Sequence, residues 1–133
     1  MATPLAETTV ALNGEGECIA EGRDAAVAFL TQARSRDNVP IQGRTVDVAQ
    51  LVVSELVTNA HKYAPGPILL TLILDSEFLE VAVWDSDPVL PEASTVDPLR
   101  VGRHGLEIVQ AVAHDLTVRP EPVGKCVTAR IRV

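Results

Sequence analysis

Three short stretches carry side chains with chemistry to offer. In "SELVTNAHKYA" (54–64) a carboxylate, Glu55, and a carboxamide, Asn59, stand four residues apart. On a helix that spacing stacks them on one face, beside Leu51, Val52 and Leu56. Asn59 can give one oxygen to Mg²⁺, a cation that takes few protein groups and keeps water and phosphate oxygens. Glu55 can orient or deprotonate a nucleophile beside the same phosphate. A cap or an ion pair at a helix edge uses the same residue types and is the plainer alternative for one such pair alone.

In "VWDSDP" (83–88), Asp85 ends an alternating run, where the chain leaves a sheet. A carboxylate there accepts a hydrogen bond from an exocyclic amine, or closes an Asx-turn. In "VGRHGLEIV" (101–109), Gly102 and Gly105 bracket Arg103 and His104 directly before an apolar periodic run. Backbone N–H groups at a helix start bind anions, and glycine lets the backbone approach a phosphate. His104 either touches such a phosphate or is simply exposed.

The elements that must position these groups follow from periodicity. "TTVALNG" (8–14) reads as a first strand after a frayed leader at 1–7, and apolar positions at helical spacing predict a helix from about Arg23 to Ser35. A second helix starts near Thr45 as N-cap, carries Val48, Leu51, Val52, Leu56 and Asn59 on one face, and stops before Pro65 and Pro67. "ILLTLILD" (68–75) and "FLEVAVWD" (78–85) form a hairpin, with Leu79, Val81 and Val83 on the buried side of the second strand. Residues 86–104 are rich in Pro and Asp and have no period, which suits a functional lid. Residues 105–115 read as a short helix with Leu106, Ile108, Val109 and Val112 inward, and a last hairpin turns around Pro122–Gly124. This order predicts an α+β fold: a two-layer sandwich of a mixed, mainly antiparallel sheet with helices on one face.

Composition narrows the classes. One domain of 133 residues with 47% hydrophobic content has a packed core, and with 3% aromatics that core is aliphatic. A net charge of −7 excludes a general nucleic-acid binder, which needs a basic face. Cys18 and Cys126 lack ligand spacing, so they read as free thiols rather than a zinc site. No apolar run reaches the roughly 20 residues of a membrane span, and the start lacks a secretory signal, so the expected compartment is the cytoplasm.

Taken in order, the three stretches resemble the ATP-binding fold shared by gyrase, heat-shock chaperone ATPases, histidine kinases and mismatch-repair ATPases (the GHKL superfamily, with its Bergerat-type fold). "ELVTNAHKYA" looks like the asparagine box, "VWDSDP" like the first glycine box and "GRHGLEIV" like the second. The resemblance runs from about residue 20 to the end. In length and wording it is nearest to the small anti-sigma-factor serine/threonine kinase-like proteins of actinobacteria.

The resemblance implies ATP and Mg²⁺ as cofactors. It implies Asn59 as the metal ligand, Glu55 as the general base, and Asp85 on the adenine amino group. Lys62 would lie near the phosphates and Tyr63 would line the pocket. Gly102, His104, Gly105 and Leu106 would shape the return from the lid to the phosphate-binding helix, with Thr128 on the final strand completing the site. Implied partners are a sigma factor and an anti-sigma-antagonist protein, without direct nucleic acid or membrane contact, and related kinases often form homodimers. A non-catalytic ATP-sensing or protein-binding module of the same fold is the alternative. A detached histidine-kinase domain fits less well, because none of His61, His104 and His114 sits in a phosphoacceptor-like helix. Three positions depart from the family pattern: Asp87 and Arg103 stand where glycines are usual, and Cys126 stands where threonine is usual, with Thr128 two residues on.

Overall fold

The computed structural model describes residues 4–13, 17–63, 66–87 and 103–133, with the backbone alone at 63, 103 and 104. Along the chain run β1 (Ala6–Leu12), α1 (Cys18–Arg36), α2 (Gly43–Tyr63), β2 (Ile68–Leu74), β3 (Phe78–Asp85), α3 (Arg103–Val112), β4 (Asp115–Pro120) and β5 (Lys125–Arg132). The five strands form one sheet in the order β1-β2-β3-β5-β4. Every pairing is antiparallel, and the helices cover one face, giving the expected α+β sandwich.

Alternation decides which side chains enter the core. Ile68, Leu70, Leu72 and Leu74 of β2, Leu79, Val81 and Val83 of β3, and Val127, Ala129 and Ile131 of β5 all turn inward and are buried. The other parity lies on the open face: Leu69, Thr71 and Ile73; Glu80, Ala82 and Trp84; Cys126, Thr128 and Arg130. Against the inward rows α2 lays Val52, Val53, Leu56, Val57 and Ala60, all at most 1% exposed. Three valines are weak helix formers, but burying them against the sheet outweighs a few tenths of a kcal/mol each of lost propensity.

Several boundaries and faces depart from the sequence expectations. β1 begins at Ala6, so residues 6 and 7 of the expected leader are paired, opposite Leu74 and Ile73. Hydrogen bonding to β2 outweighs the lack of apolar pattern there. α1 begins at Cys18 rather than near Arg23, running through Gly22. That glycine weakens a helix in isolation. Here a Cβ on it would lie 3.2 Å from Val53 Cγ1 and 3.4 Å from Val57 Cγ2, so a bare backbone lets α1 sit close on α2.

On α2, Leu51 is 38% exposed and does not pack on the sheet; Val53 and Val57 take the inward arc instead. On α3 only Leu106 and Val109 of the four expected residues are buried, while Ile108 and Val112 face outward. A ten-residue helix resting on α2 buries one narrow stripe. It ends at Val112, because the His114 N–H already bonds the Arg130 carbonyl and starts the β4 pairing. The lid expectation for 86–104 falls mainly on residues 88–102, outside the described residues.

Candidate functional site

The chain path brings the three stretches to one end of the sandwich. α2 ends at Tyr63 and β2 starts at Ile68, a connection that spans at most about 18 Å. Leu69 pairs with Trp84, so the start of β2 lies beside the end of β3, where Asp85 sits. Asn59 is one turn before the end of α2 and buried at 6% exposure, and Glu55 is half-buried one turn earlier on the same face. α3 packs on α2 and runs away from this end toward β4, whose first residue pairs with Arg130, far along β5 from Lys125.

The first close relationship is between α2 and α3. A Cβ built on Gly105 would lie 2.7 Å from Glu55 Oε2. The start of α3 therefore reaches the Glu55 carboxylate only because residue 105 lacks a side chain. It places a carboxylate beside the N-terminal turn of a helix.

The second is a buried ion pair that sequence reasoning missed. Asp85 and Lys125 are cross-strand partners of β3 and β5. The Lys125 ammonium donates to Asp85 Oδ1 at 3.0 Å, and the two side chains are only 3% and 1% exposed. It also donates to the Asp87 carbonyl at 3.2 Å and lies 3.8 Å from Asp87 Oδ2. The Asp87 N–H donates to the same Asp85 Oδ1 at 2.9 Å, the Asx-turn foreseen as the plainer role of Asp85. Asp85 Oδ2, by contrast, is buried and has no hydrogen-bond partner among the described residues. An unsatisfied buried acceptor costs about 1–3 kcal/mol and asks for a donor. The only sequence signal for the pair was a lysine directly after Gly124, which periodicity cannot distinguish from a surface residue.

Gly124 makes this pairing geometrically available. It has φ +78°, and a Cβ there would fall on the backbone carbonyl of Asp85. The β4–β5 turn, closed by the Glu121 N–H on the Gly124 carbonyl, thus folds its backbone directly onto the end of β3. On the opposite face of the sheet, the Trp84 indole N–H donates to the Val123 carbonyl at 2.8 Å and ties the same turn down.

The remaining expected residues are placed as follows. Lys62 is exposed in the last turn of α2, and Tyr63 ends that helix with its side chain outside the described set. Gly102 lies outside the described residues, and His104 is in the first turn of α3, its side chain likewise not described. Leu106 is buried in the core. Thr128 is not brought to the site: it shares the open face with Cys126, whose Sγ is 3.8 Å from its hydroxyl, while Asp85 and Lys125 face the helices. The strand's two-residue period puts Thr128 on the wrong side. His61 Nδ1 is a further buried polar atom without a partner among the described residues.

The residues present suit a nucleotide better than a metal held by protein alone. Asp85 Oδ2 is a vacant acceptor for an amino group, and the bare Gly105 backbone faces the acid of α2. Among the described residues no three His, Cys, Asp or Glu side chains cluster. An ion here would be held by one protein oxygen, Asn59, with phosphate and water oxygens completing its shell. Neither cysteine is bonded to the other, and burial raises both thiols above their usual range. Among the described residues no helix is long and apolar enough to cross a membrane.

Comparison with known proteins agrees with this fold. The family model for the histidine kinase-like ATPase domain matches residues 20–131, and the chain belongs to that family. Nucleotide binding of the ATPase type is the general property that membership implies. No curated protein matches the chain. Among solved structures it is similar to the histidine kinase domain of the blue-light-activated histidine kinase from Erythrobacter litoralis EL346, with a TM-score of 0.52 and 22% identity. That match covers 96% of this chain and 60% of the other, so the chain spans less than two thirds of that structure. At this identity the likeness concerns the fold.

Proposed function

We propose that the chain is an ATP-binding regulator of the anti-sigma-factor type, a serine/threonine protein kinase that phosphorylates an anti-sigma-antagonist protein, sequesters a sigma factor, or does both. The observation that carries the nucleotide half is the vacant, buried Oδ2 of Asp85 at the end of β3. The kinase half rests on Glu55 standing against Gly105, together with the motif wording. The partners rest on the sequence resemblance alone.

In this reading Asp85 Oδ2 accepts from the adenine amino group and Asn59 offers an oxygen to magnesium. ATP with magnesium supplies the phosphoryl group and neutralises its charge. With ATP bound, Glu55 would take the proton from the attacking serine hydroxyl as that oxygen bonds to the γ-phosphorus, and the bond from that phosphorus to the bridging oxygen would break to release ADP. Lys62, in the last turn of α2, adds a cation for the phosphates.

A second reading has its own support. Lys125 and the Asp87 N–H already satisfy Asp85 Oδ1, so the base site is partly closed by the protein's own groups. That favours a module working through protein contacts, with weak nucleotide binding or none. Calorimetric titration with ATP, with and without magnesium, separates the two. Binding followed by phosphoserine on a candidate antagonist supports the kinase. No heat at millimolar ATP leaves only the contact module. Glu55→Ala should abolish transfer and spare much of the binding; Asn59→Ala and Asp85→Ala should weaken binding itself. Transfer by Glu55→Ala at the wild-type rate would remove Glu55 from the general-base role.

A further inference from the structure

We propose that Leu51, Ile108 and Val112 form the docking surface for the protein segment that brings the acceptor serine, and that this surface takes an aliphatic side chain two residues from that serine. The inference rests on the kinase reading above and says how its protein substrate is held. The three side chains are 38%, 38% and 39% exposed, and they are half of the six large apolar side chains exposed among the described residues. Apolar residues scattered singly over a surface need no explanation, but adjoining ones mark contact sites.

These three adjoin. The approach of Gly105 to Glu55 fixes the level at which the helices meet, and α3 runs back along α2 in the opposite sense. Leu51 is one turn before Glu55 and Ile108 is one turn after Gly105, so both step the same way from that contact and stand side by side. Val112 lies one turn further on. Val52 and Leu56 of α2, and Leu106 and Val109 of α3, turn to the core, which leaves Leu51, Ile108 and Val112 on the solvent side of the seam. The patch therefore begins at Glu55, the group that meets the serine hydroxyl in the kinase reading, and a segment delivering that serine lies against it. One helical turn separates Glu55 from Leu51 by about 6 Å. Two residues of an extended segment advance about 6.7 Å and point to the same side. A serine at Glu55 thus sets the side chain two residues away on Leu51 and Ile108. Asp47 is exposed one turn beyond Leu51, so acids stand at both ends of the patch and suit a segment that carries lysines.

The test uses two synthetic peptides, each with one serine in a background of glycine and lysine. They differ only at the positions two residues before and two after the serine, which are leucine in one and glutamine in the other. The full chain, Leu51→Gln and Ile108→Gln are compared for ATP affinity by calorimetry and for transfer from labelled ATP. The expected result is a kcat/KM about fivefold or more higher for the leucine peptide. Each substitution should remove that preference by raising KM for the leucine peptide, with ATP affinity, kcat and melting temperature unchanged; glutamine suits an exposed helix position, so both variants fold. A preference that survives both substitutions overturns the inference, and so does weaker ATP binding by the variants, which would assign the patch to enclosing the nucleotide. Equal transfer to both peptides overturns it and leaves the kinase reading standing. Transfer to neither peptide by a chain that binds ATP also overturns it, and phosphoserine on a candidate antagonist would then show the kinase reading standing alone. No binding of ATP removes that reading and this inference with it.

Discussion

The carboxylate of Glu55 stands where a side chain on Gly105 would begin, 2.7 Å from the position of its Cβ. The atom in the way is the far end of a flexible side chain, not backbone. Gly105→Ala should therefore leave the fold nearly as stable as before, within about 1 kcal/mol, since alanine also favours the helix. What changes is the aim of the acid. If Glu55 is the base for phosphoryl transfer, Gly105→Ala should lower the transfer rate by about a hundredfold at unchanged melting temperature. A variant that melts many degrees lower would mean that the contact holds α3 in place rather than positioning chemistry.

The Asp85–Lys125 pair makes a prediction about stability that is independent of any ligand. Both side chains are buried, so removing either alone strands a charge, which costs about 3–5 kcal/mol. Removing both and substituting apolar groups strands nothing. Denaturant melts of Asp85→Leu, Lys125→Met and the double variant should show the double losing less than the sum of the singles, and less than Lys125→Met alone. Additive losses would mean that the two groups are not energetically coupled.

The layer architecture was legible in the sequence because the strands alternate cleanly: Leu79, Val81 and Val83 face in, and Glu80, Ala82 and Trp84 face out. Glu55 and Asn59 stood out in the sequence because they interrupt an apolar helix face four residues apart, and Asp85 because it ends an alternating strand. Lys125 was not, since its partner lies 40 residues away and only the register of β3 on β5 joins them. Thr128 was misplaced for the complementary reason: strand parity needs a correct origin, and Lys125 as the first inward residue of β5 sets it. The early start of α1 was hidden by Gly22, whose poor helix propensity is offset by contacts with Val53 and Val57 that belong to another helix. The exposed Ile108 and Val112 show the same limit from the other side, as periodicity names an apolar stripe but not its width.

Gly124 combines two requirements that no other residue meets. Its φ of +78° disfavours any L side chain, and a Cβ would collide with the Asp85 carbonyl. The left-handed backbone costs an alanine about 1–2 kcal/mol, and the collision is with main chain that cannot rotate away. Gly124→Ala should lower stability by about 3 kcal/mol or more and displace Lys125 from Asp85. Denaturant melts check the first part, and a change in Trp84 emission checks the second, because Val123 in the same turn accepts the indole N–H. Near-neutral stability would show that the turn relaxes away from β3 at little cost.

At the far end of the sheet, Arg130 bonds both oxygens of Asp115 and lies 4.6 Å over the Phe78 ring. The hydrogen bonds from Arg130 hold the Asp115 carboxyl below its usual range, aided by the guanidinium charge and opposed by slight burial. A depressed value in the folded chain means that the unfolded chain takes the proton more readily. The pair's contribution is therefore complete above the unfolded value, near about pH 4, and is lost as the pH falls through the folded one. Asp115→Asn should lower the melting temperature at about pH 7 and make a steadily smaller difference below about pH 4, because acid removes the same charge from the unsubstituted chain. The side chains are over a third exposed, so the neutral-pH loss should be small and should shrink further in high salt. An equal loss at neutral and acid pH would assign the role of Asp115 to packing rather than to its charge.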